Sequence, residues 1–321
     1  MAERILVAGG AGFIGMHLCR ELVSRGHQVY CLDNFSTSEI SARAELEAMG
    51  VFVEEVDVTQ AADRVYDAIY HLASPASPVH YRRLSLSTMW ANALGTRRLL
   101  DLAVASGGRF LLASTSEVYG DPLVHPQSED YWGNVNPLGE RACYDESKRF
   151  AEALTWEYRR IHRVNARIIR IFNTYGPGMM LDDGRAIPEF TVAALRDRAL
   201  TIQGSGSHTR CFCYVDDLVR GMLQLGEDPA ADGHVYNVGS DNEVTVAEIA
   251  GMIRDTVGSA SEMVFGDPVP DDPQRRRPDL TAIRRDYGWE ATTSLEEGLA
   301  RTVADIRSRL AGQRSTHPVP A

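Results

Sequence analysis

The stretch ERILVAGGAGFIGMHL, residues 3–18, decides the fold. An apolar run over residues 3–9 predicts a buried strand, and Gly9, Gly12 and Gly15 follow in the spacing G-x-x-G-x-x-G. Glycines at the start of a helix let backbone N–H groups approach a pyrophosphate, and the positive end of the helix dipole favours the same anion. The stretch therefore predicts a strand–turn–helix unit that binds a dinucleotide, although a glycine-rich turn without function can have the same spacing.

The second apolar run ends at Asp33, 18 residues after Gly15. A carboxylate at this point can accept hydrogen bonds from both ribose hydroxyls of adenosine. A 2′-phosphate would be repelled by Asp33 and would need a cation, yet the next arginine is Arg43. We therefore expect NAD as the cofactor rather than NADP. Asp57, at the end of the third run, is placed either for the adenine edge or as a solvated strand end.

Apolar runs alternate with helical stretches through the first half of the chain. The runs cover residues 3–9, 27–33, 51–58, 67–73, 109–115 and 166–172, and the helical stretches lie near 13–24, 92–105 and 145–162. Repeated βαβ units predict an α/β fold with a doubly wound parallel sheet of the Rossmann type. Loops rich in Gly and Pro follow, and they predict a smaller C-terminal substrate domain. We expect an NAD-binding domain at 1–176, to which the chain returns around 212–239, and a substrate domain at 177–321.

Composition and charge restrict the partners. The chain of 321 residues is 44% hydrophobic and 24% charged, which is typical of a globular protein. Its formal net charge of −11 opposes binding to nucleic acid or to an anionic membrane. Five cysteines without a C-x-x-C pair predict free thiols and no metal site. The N-terminus does not resemble a signal peptide and no apolar run is long enough to span a membrane, so we expect a cytoplasmic protein.

Lys148 is the only lysine, because the other cationic side chains among the 33 lysines and arginines are all arginine. It follows Tyr144 by four residues, which places both on one face of a helix. Forming a phenolate at pH 7 costs about 4 kcal/mol, and a nearby ammonium and a positive nicotinamide both lower that cost. We therefore predict that Tyr144 is a general base activated by Lys148. Thr115, at the end of the run 109–115, should lie beside them in the cleft.

The chain resembles the extended short-chain dehydrogenase/reductase family and, within it, the UDP-glucuronate decarboxylases. The resemblance extends nearly end to end and rests on GGAGFIG, LDNF, IYHLASPASP, LLASTSEVYGDP, VHPQSEDYWGNVNP, RACYDESKR, RIFNTYGP, DGR, GSGSHTR and DDPQRRRPD. It implies that NAD⁺ takes the C4 hydride of UDP-glucuronate while Tyr144 takes the hydroxyl proton. The β-keto acid then loses CO₂, C5 is protonated, and hydride returns to C4 to give UDP-xylose.

The resemblance also implies roles for individual residues and a homodimer. Catalysis would involve Tyr144, Lys148, Thr115, Ser116, Glu117 and Arg276, of which Glu117 and Arg276 would handle the substrate carboxylate and the C5 proton. NAD would contact Gly9, Gly12, Phe13, Ile14, Asp33, Asn34, Thr37, Asp57, Val58, Leu72, Ser74, Tyr144 and Lys148, and the UDP-sugar would contact Asn173, Arg185, Arg210 and Arg276. The dimer would pair through the helices near 92–105 and 145–162, where Leu99, Leu100, Ala103, Ala151, Leu154 and Ile161 fit a core equally well.

Related activities differ in what they require. The 4,6-dehydratases of the superfamily have an aspartic acid as proton donor where this chain has Ser116, and serine is a poor acid. A 4-epimerase remains an alternative, and its product would keep the mass of the substrate. A dinucleotide sensor without catalysis would need neither Tyr144 nor Lys148. The chain also departs from its relatives at Trp90 and Gly178, where cations are common.

Overall fold

The computed structural model describes residues 2–182, 184–268 and 274–316. The strands are β1 (Arg4–Ala8), β2 (Gln28–Asp33), β3 (Phe52–Glu55), β4 (Ala68–His71), β5 (Arg109–Thr115), β6 (Ala166–Ile171), β7 (Thr174–Tyr175), β8 (Leu200–Gln203), β9 (Thr209–Cys211), β10 (Cys213–Tyr214), β11 (Val235–Val238), β12 (Glu243–Thr245), β13 (Met263–Gly266) and β14 (Arg275–Arg276). The helices are α1 (Phe13–Ser24), α2 (Ala42–Ala48), α3 (Pro78–Arg83), α4 (Ser85–Trp90), α5 (Thr96–Ser106), α6 (Ala142–His162), α7 (Ala186–Leu195), α8 (Val215–Glu227), α9 (Val246–Val257), α10 (Thr281–Tyr287) and α11 (Leu295–Thr316).

Seven parallel strands form the main sheet in the order β11-β6-β5-β4-β1-β2-β3. The predicted doubly wound sheet is therefore confirmed, and all six predicted strands belong to it. Because β1 pairs with both β2 and β4, the chain reverses its direction of winding there. Open sheets of this kind form a crevice at the carboxyl ends of the strands beside such a reversal.

Helices cover both faces of the sheet, and both faces of β1 carry apolar side chains. Ile5 and Val7 face the cluster formed with α1 and α8, whereas Leu6 and Ala8 face the cluster formed with α5 and α6. Side chains alternate between the two faces of a strand, so an entirely apolar strand must be buried on both sides. The predicted helix near 92–105 differs at its start, because residues 91–95 form a π-helical turn before α5.

The C-terminal part builds small sheets around α7 and α9. Strand β8 pairs with β13, and β9 lies between β12 and β14. The chain also returns to the main sheet, where Val235 of β11 lies opposite Ile168 of β6. The exact division into two domains at residue 176 stays a prediction.

The predicted dimer residues separate into two groups. Leu99, Leu100, Ala103 and Ala151 are buried in the core, whereas Ile161 is exposed. The four buried residues pack inside this chain and therefore cannot contact a second subunit. Within the described ranges, no helix combines the length and apolar character needed to cross a membrane.

Candidate active site

A cleft of about 820 Å³ opens at the carboxyl ends of β1, β4, β5 and β6, between the main sheet and the C-terminal part. A smaller cavity of about 80 Å³ shares its wall near the glycine turn. The cleft is lined by Gly9, Gly12, Phe13, Ile14, Thr37, Leu72, Ser74, Thr115, Ser116, Glu117, Tyr144, Lys148, Asn173, Arg185, Arg210 and Arg276. The smaller cavity adds Asp33, Asn34, Asp57 and Val58. The structure thus brings all the sequence-predicted site residues to the cleft or to the small cavity beside it, while their individual roles stay predictions.

The glycine turn brings the start of α1 close to the end of β1. Gly9 has a φ of +82°, and a Cβ on Gly15 would lie 2.2 Å from the carbonyl oxygen of Gly9. Glycine at these positions therefore lets the helix pack tightly onto the turn. Gly12 provides no side-chain cap, and the first turn of α1 contains no acidic residue. The first N–H groups of a helix have no intrahelical partners, so this end of the cleft suits an anion.

Asp33 ends β2 and is nearly buried, with 8% of its surface exposed. Its carboxylate accepts hydrogen bonds from the backbone N–H groups of Ala11 (3.0 Å) and Phe35 (2.9 Å). Burial raises the pKa of Asp33, and these hydrogen bonds oppose the rise. The residue therefore ties β2 to the glycine turn and also lines the cavity expected for a ribose.

Asp57 lies outside the strand that the sequence predicted for it. Strand β3 ends earlier, and Asp57 caps a short 3₁₀ helix by accepting hydrogen bonds from the N–H and hydroxyl of Thr59 (3.0 and 2.7 Å). It also accepts one from Nδ2 of Asn34 (2.8 Å). Although burial opposes ionisation, these bonds lower the pKa of Asp57. The carboxylate organises the wall of the smaller cavity, so it is not a freely solvated strand end.

Helix α6 presents Tyr144 and Lys148 to the cleft wall. Both are almost entirely buried, and the Lys148 Nζ lies 5.9 Å from the centre of the Tyr144 ring. The ammonium donates a hydrogen bond to the carbonyl oxygen of Ala113 in β5 (2.9 Å). Burial raises the pKa of Tyr144, and hydrogen bonding with Thr115 opposes the rise. Burial also lowers the pKa of Lys148 to about 8. A positive group near the phenol would therefore have a large effect on its ionisation.

Glu117 is held between two guanidinium groups. Arg276 donates from Nη1 to Oε1 (2.6 Å) and from Nη2 to Oε2 (3.0 Å), and Arg141 donates to Oε2 (2.6 Å). Arg276 reaches this point because β14 pairs with β9, where it lies beside Arg210. Although burial opposes ionisation, Arg276 and Arg141 lower the pKa of Glu117 to about 2. Glu117 is therefore an anion at neutral pH, and the cluster of two arginines and one glutamate is net positive.

Sequence reasoning assigned no role to Arg141 of this cluster or to two residues near it, Asp145 and Tyr81. Arg141 and Asp145 flank Tyr144 within the quoted stretch RACYDESKR, so the signal was available but was not used. Burial first, and then the charge of Glu117, raise the pKa of Asp145 to about 8. Tyr81 stacks on Tyr144 with ring centres 5.1 Å apart and planes 5° from parallel. No spacing in the sequence predicts that contact.

The departure at Gly178 has a local explanation. Its φ of +87° favours glycine, and its N–H donates to Oδ2 of Asp305 in α11 (3.0 Å). The backbone at this position is thus part of the wall where α11 meets the cleft, and a side chain there would be strained.

Comparison with known proteins supports one family. The model of the NAD dependent epimerase/dehydratase family matches residues 5–239. UDP-glucuronic acid decarboxylase 1 of Arabidopsis thaliana is 46% identical over 96% of this chain and 70% of its own length. The structure of UDP-glucose 4-epimerase from Thermotoga maritima with UDP-glucose aligns with a TM-score of 0.88 at 28% identity, covering 96% of this chain and 99% of that one. UDP-glucuronic acid 4-epimerase from Bacillus cereus, in complex with UDP-glucuronic acid and NAD, aligns with a TM-score of 0.86 at 27% identity and covers 95% and 99%.

Proposed function

Because the chain belongs to the NAD-dependent epimerase/dehydratase family, we propose that it converts UDP-glucuronate to UDP-xylose and CO₂ in a cycle that regenerates NAD. The observation that carries the proposal is the placement of the Tyr144–Lys148 pair and the Glu117–Arg276 pair in the same cleft as the glycine turn. The similarity to decarboxylases at 46% identity favours loss of the carboxylate over epimerisation.

The residues of the cleft divide the reaction between them. Bound NAD would supply the acceptor and later the donor of the C4 hydride. Tyr144 accepts the proton of the C4 hydroxyl, Thr115 orients that hydroxyl, and the charge of Lys148 stabilises the phenolate. Once C4 is a carbonyl, it can accept the electron pair that the departing carboxylate leaves at C5. A proton from solvent then adds at C5, which restores the C4 carbonyl. As the hydride comes back to C4, the same phenol returns its proton to the C4 oxygen.

The arginine cluster suits an anionic substrate. Arg141 and Arg276 carry two positive charges against the single charge of Glu117, and guanidinium groups bind carboxylates through parallel hydrogen bonds. The excess charge favours the carboxylate of a glucuronate over the neutral C6 of a glucose. Dehydration is disfavoured because Ser116 is a poor acid and Glu117 is ionised, so neither provides the proton for a leaving hydroxyl.

The assay is incubation of the purified protein with UDP-glucuronate and NAD⁺, followed by CO₂ detection and mass spectrometry of the sugar nucleotide. We expect CO₂ and a product lighter than the substrate by one CO₂. A changed sugar with unchanged mass would support the 4-epimerase alternative. Unchanged UDP-glucuronate without CO₂ would refute the proposed reaction.

We propose NAD rather than NADP because Asp33 would repel a 2′-phosphate. We also propose a UDP-sugar as the partner in the cleft, bound in part through Asn173, Arg185 and Arg210, and a location in the cytoplasm. Titration of the purified protein with NAD⁺ and NADP⁺ should show tighter binding of NAD⁺, and equal affinities would contradict the proposed role of Asp33.

We propose a homodimer on the apolar surface of α4 to α6 rather than on the helix residues that pack in the core. Large apolar side chains are exposed on this surface, namely Leu86, Met89, Trp90, Leu94, Val104, Phe150, Trp156 and Ile161. Large apolar side chains exposed on neighbouring helices are typical of protein interfaces. Trp90, where relatives often have a cation, therefore adds apolar surface to the proposed interface. Light scattering should give the mass of a dimer.

A further inference from the structure

Glu152 lies one helical turn after Lys148, on the face of α6 that meets β5. Two neighbouring contacts join these elements: Lys148 Nζ donates to the carbonyl oxygen of Ala113 (2.9 Å), and Ser114 Oγ donates to Oε1 of Glu152 (2.5 Å). Consecutive residues of β5 are thus held by residues one turn apart on α6. The next residue of β5 is Thr115, so these contacts set the register in which Tyr144 meets Thr115.

The Glu152 carboxylate is held in place by a second element. Arg170 of β6 donates from Nε to Oε1 (3.0 Å) and from Nη2 to Oε2 (2.8 Å), and both side chains are 13% exposed. Arg170 also donates to the hydroxyl of Tyr119 (3.0 Å). The hydrogen bonds between Arg170 and Glu152 form a two-point ion pair, the arrangement in which a guanidinium holds a carboxylate most firmly. The Glu152 carboxylate, paired with Arg170, is therefore held in place one helical turn after Lys148 on α6.

The other groups that face Lys148 do not supply a negative charge that could compensate its ammonium. His71 of β4 is buried, and burial together with the Lys148 charge lowers its pKa to about 3, so the imidazole is neutral. Burial raises the pKa of the Tyr144 phenol, so the phenol is protonated and carries no charge. β5 contributes the carbonyl oxygen of Ala113. Among the described residues, the charge that raises the pKa of Lys148 against its burial is that of Glu152.

We propose that Glu152 is the counter-ion that keeps the Lys148 ammonium charged inside the cleft wall. Glu152 is a positioning residue, since it acts on the phenol of Tyr144 through Lys148. The effect on turnover rests on the proposed function, but the effect on Lys148 itself does not. Without the carboxylate, a buried ammonium loses its compensating charge and releases its proton at lower pH.

Because Lys148 is the only lysine, lysine labelled with ¹³C at Cε gives one signal from this residue, and its pKa can be titrated by NMR without assignment. In Glu152→Gln we expect the pKa of Lys148 to fall by about one unit or more. The matched control is Glu157→Gln on the same helix, where an exposed glutamate pairs with Arg160 (2.6 Å). This control should leave the Lys148 pKa unchanged.

A double variant, Glu152→Gln with Arg170→Gln, removes the guanidinium that the single variant leaves without its partner. Its Lys148 pKa should also lie below that of the wild type. A wild-type pKa in a folded form of either Glu152 variant would overturn the proposal. If the Lys148 pKa fell in the single variant but not in the double variant, the unpaired charge of Arg170 would be the cause of the fall. That result would overturn the proposal as well.

Turnover provides a second readout. The alkaline limb of the kcat profile should move to lower pH in Glu152→Gln by the same amount as the NMR titration. A lower kcat with an unmoved limb would indicate a merely structural role and overturn the proposal. If the wild type does not turn over UDP-glucuronate, the proposed function fails, while the NMR titration still decides the role of Glu152.

Discussion

Replacing Lys148 with methionine removes the charge beside Tyr144 while keeping a long unbranched side chain. The ammonium lies 5.9 Å from the centre of the phenol ring. With an effective dielectric constant of about 20, Coulomb's law gives about 2.8 kcal/mol for unit charges at that separation. At 1.36 kcal/mol for each factor of ten, the phenolate should be about 100-fold less populated below its pKa. We therefore expect kcat near pH 7 to fall about 100-fold in Lys148→Met.

The pH profile separates this effect from a loss of folding. Removing a positive charge raises the pKa of a phenol, so the acid limb of kcat should move up by about two pH units. The assay is CO₂ release from UDP-glucuronate at saturating NAD⁺ between about pH 6 and 10, with circular dichroism to check the fold. A Lys148→Met protein within about tenfold of wild-type kcat, with an unmoved acid limb, would refute this account of the pair.

Lys148→Arg tests whether charge alone is sufficient. The Lys148 side chain is buried and hydrogen-bonded to the carbonyl oxygen of Ala113, and a planar guanidinium needs more room than an ammonium. We expect strongly reduced turnover with the fold intact. Near-normal turnover would mean that the single lysine of this chain is accidental.

Three further predictions concern the turn, the arginine cluster and the apolar surface. Gly15→Ala would place a Cβ 2.2 Å from the carbonyl oxygen of Gly9 and should abolish NAD binding in calorimetry, whereas Gly251→Ala, whose Cβ meets nothing within 4 Å, should bind normally. Two arginines depress the pKa of Glu117 from 4.5 to about 2, so its stabilising contribution is present above about pH 4.5 and is lost as pH falls towards 2. In Glu117→Gln, that part of the acid dependence of the free energy of unfolding should be absent, and an unchanged dependence would contradict the pairing. Trp90→Glu should give a monomer in light scattering, and a persistent dimer would place the interface elsewhere.

The elements of the main sheet were predictable because their signals are local. A strand buried on both faces has to be a short continuous apolar run, and the six runs that end in the sheet have this form. The glycine spacing predicted where α1 begins, and the structure starts that helix at Phe13. Asp57 was misplaced because an apolar run does not show where a strand stops and a capped turn begins.

The site was predictable where it depends on strand ends or on helical spacing. Thr115 lies at the end of β5, at the edge of the sheet where a crevice is expected, and Tyr144 and Lys148 share a face of α6 because they are four residues apart. The resemblance to known enzymes, rather than any spacing, pointed to Arg276, which is 159 residues from its partner Glu117. Neither kind of reasoning predicted the contact of Tyr81 with Tyr144, since it depends on how α3 packs against α6.

The sequence by itself determined the six strands of the main sheet that it predicted, the glycine turn and the phenol–amine pair, because each depends on residues close together in the chain. Only the tertiary structure decided the ionisation of the site. Glu117 is anionic because arginines from two other segments surround it. Burial lowers the pKa of Lys148 to about 8, and the charge of Glu152 opposes that fall. Coulomb interactions and desolvation depend on distance and burial in space, and a linear sequence specifies these only after the chain has folded.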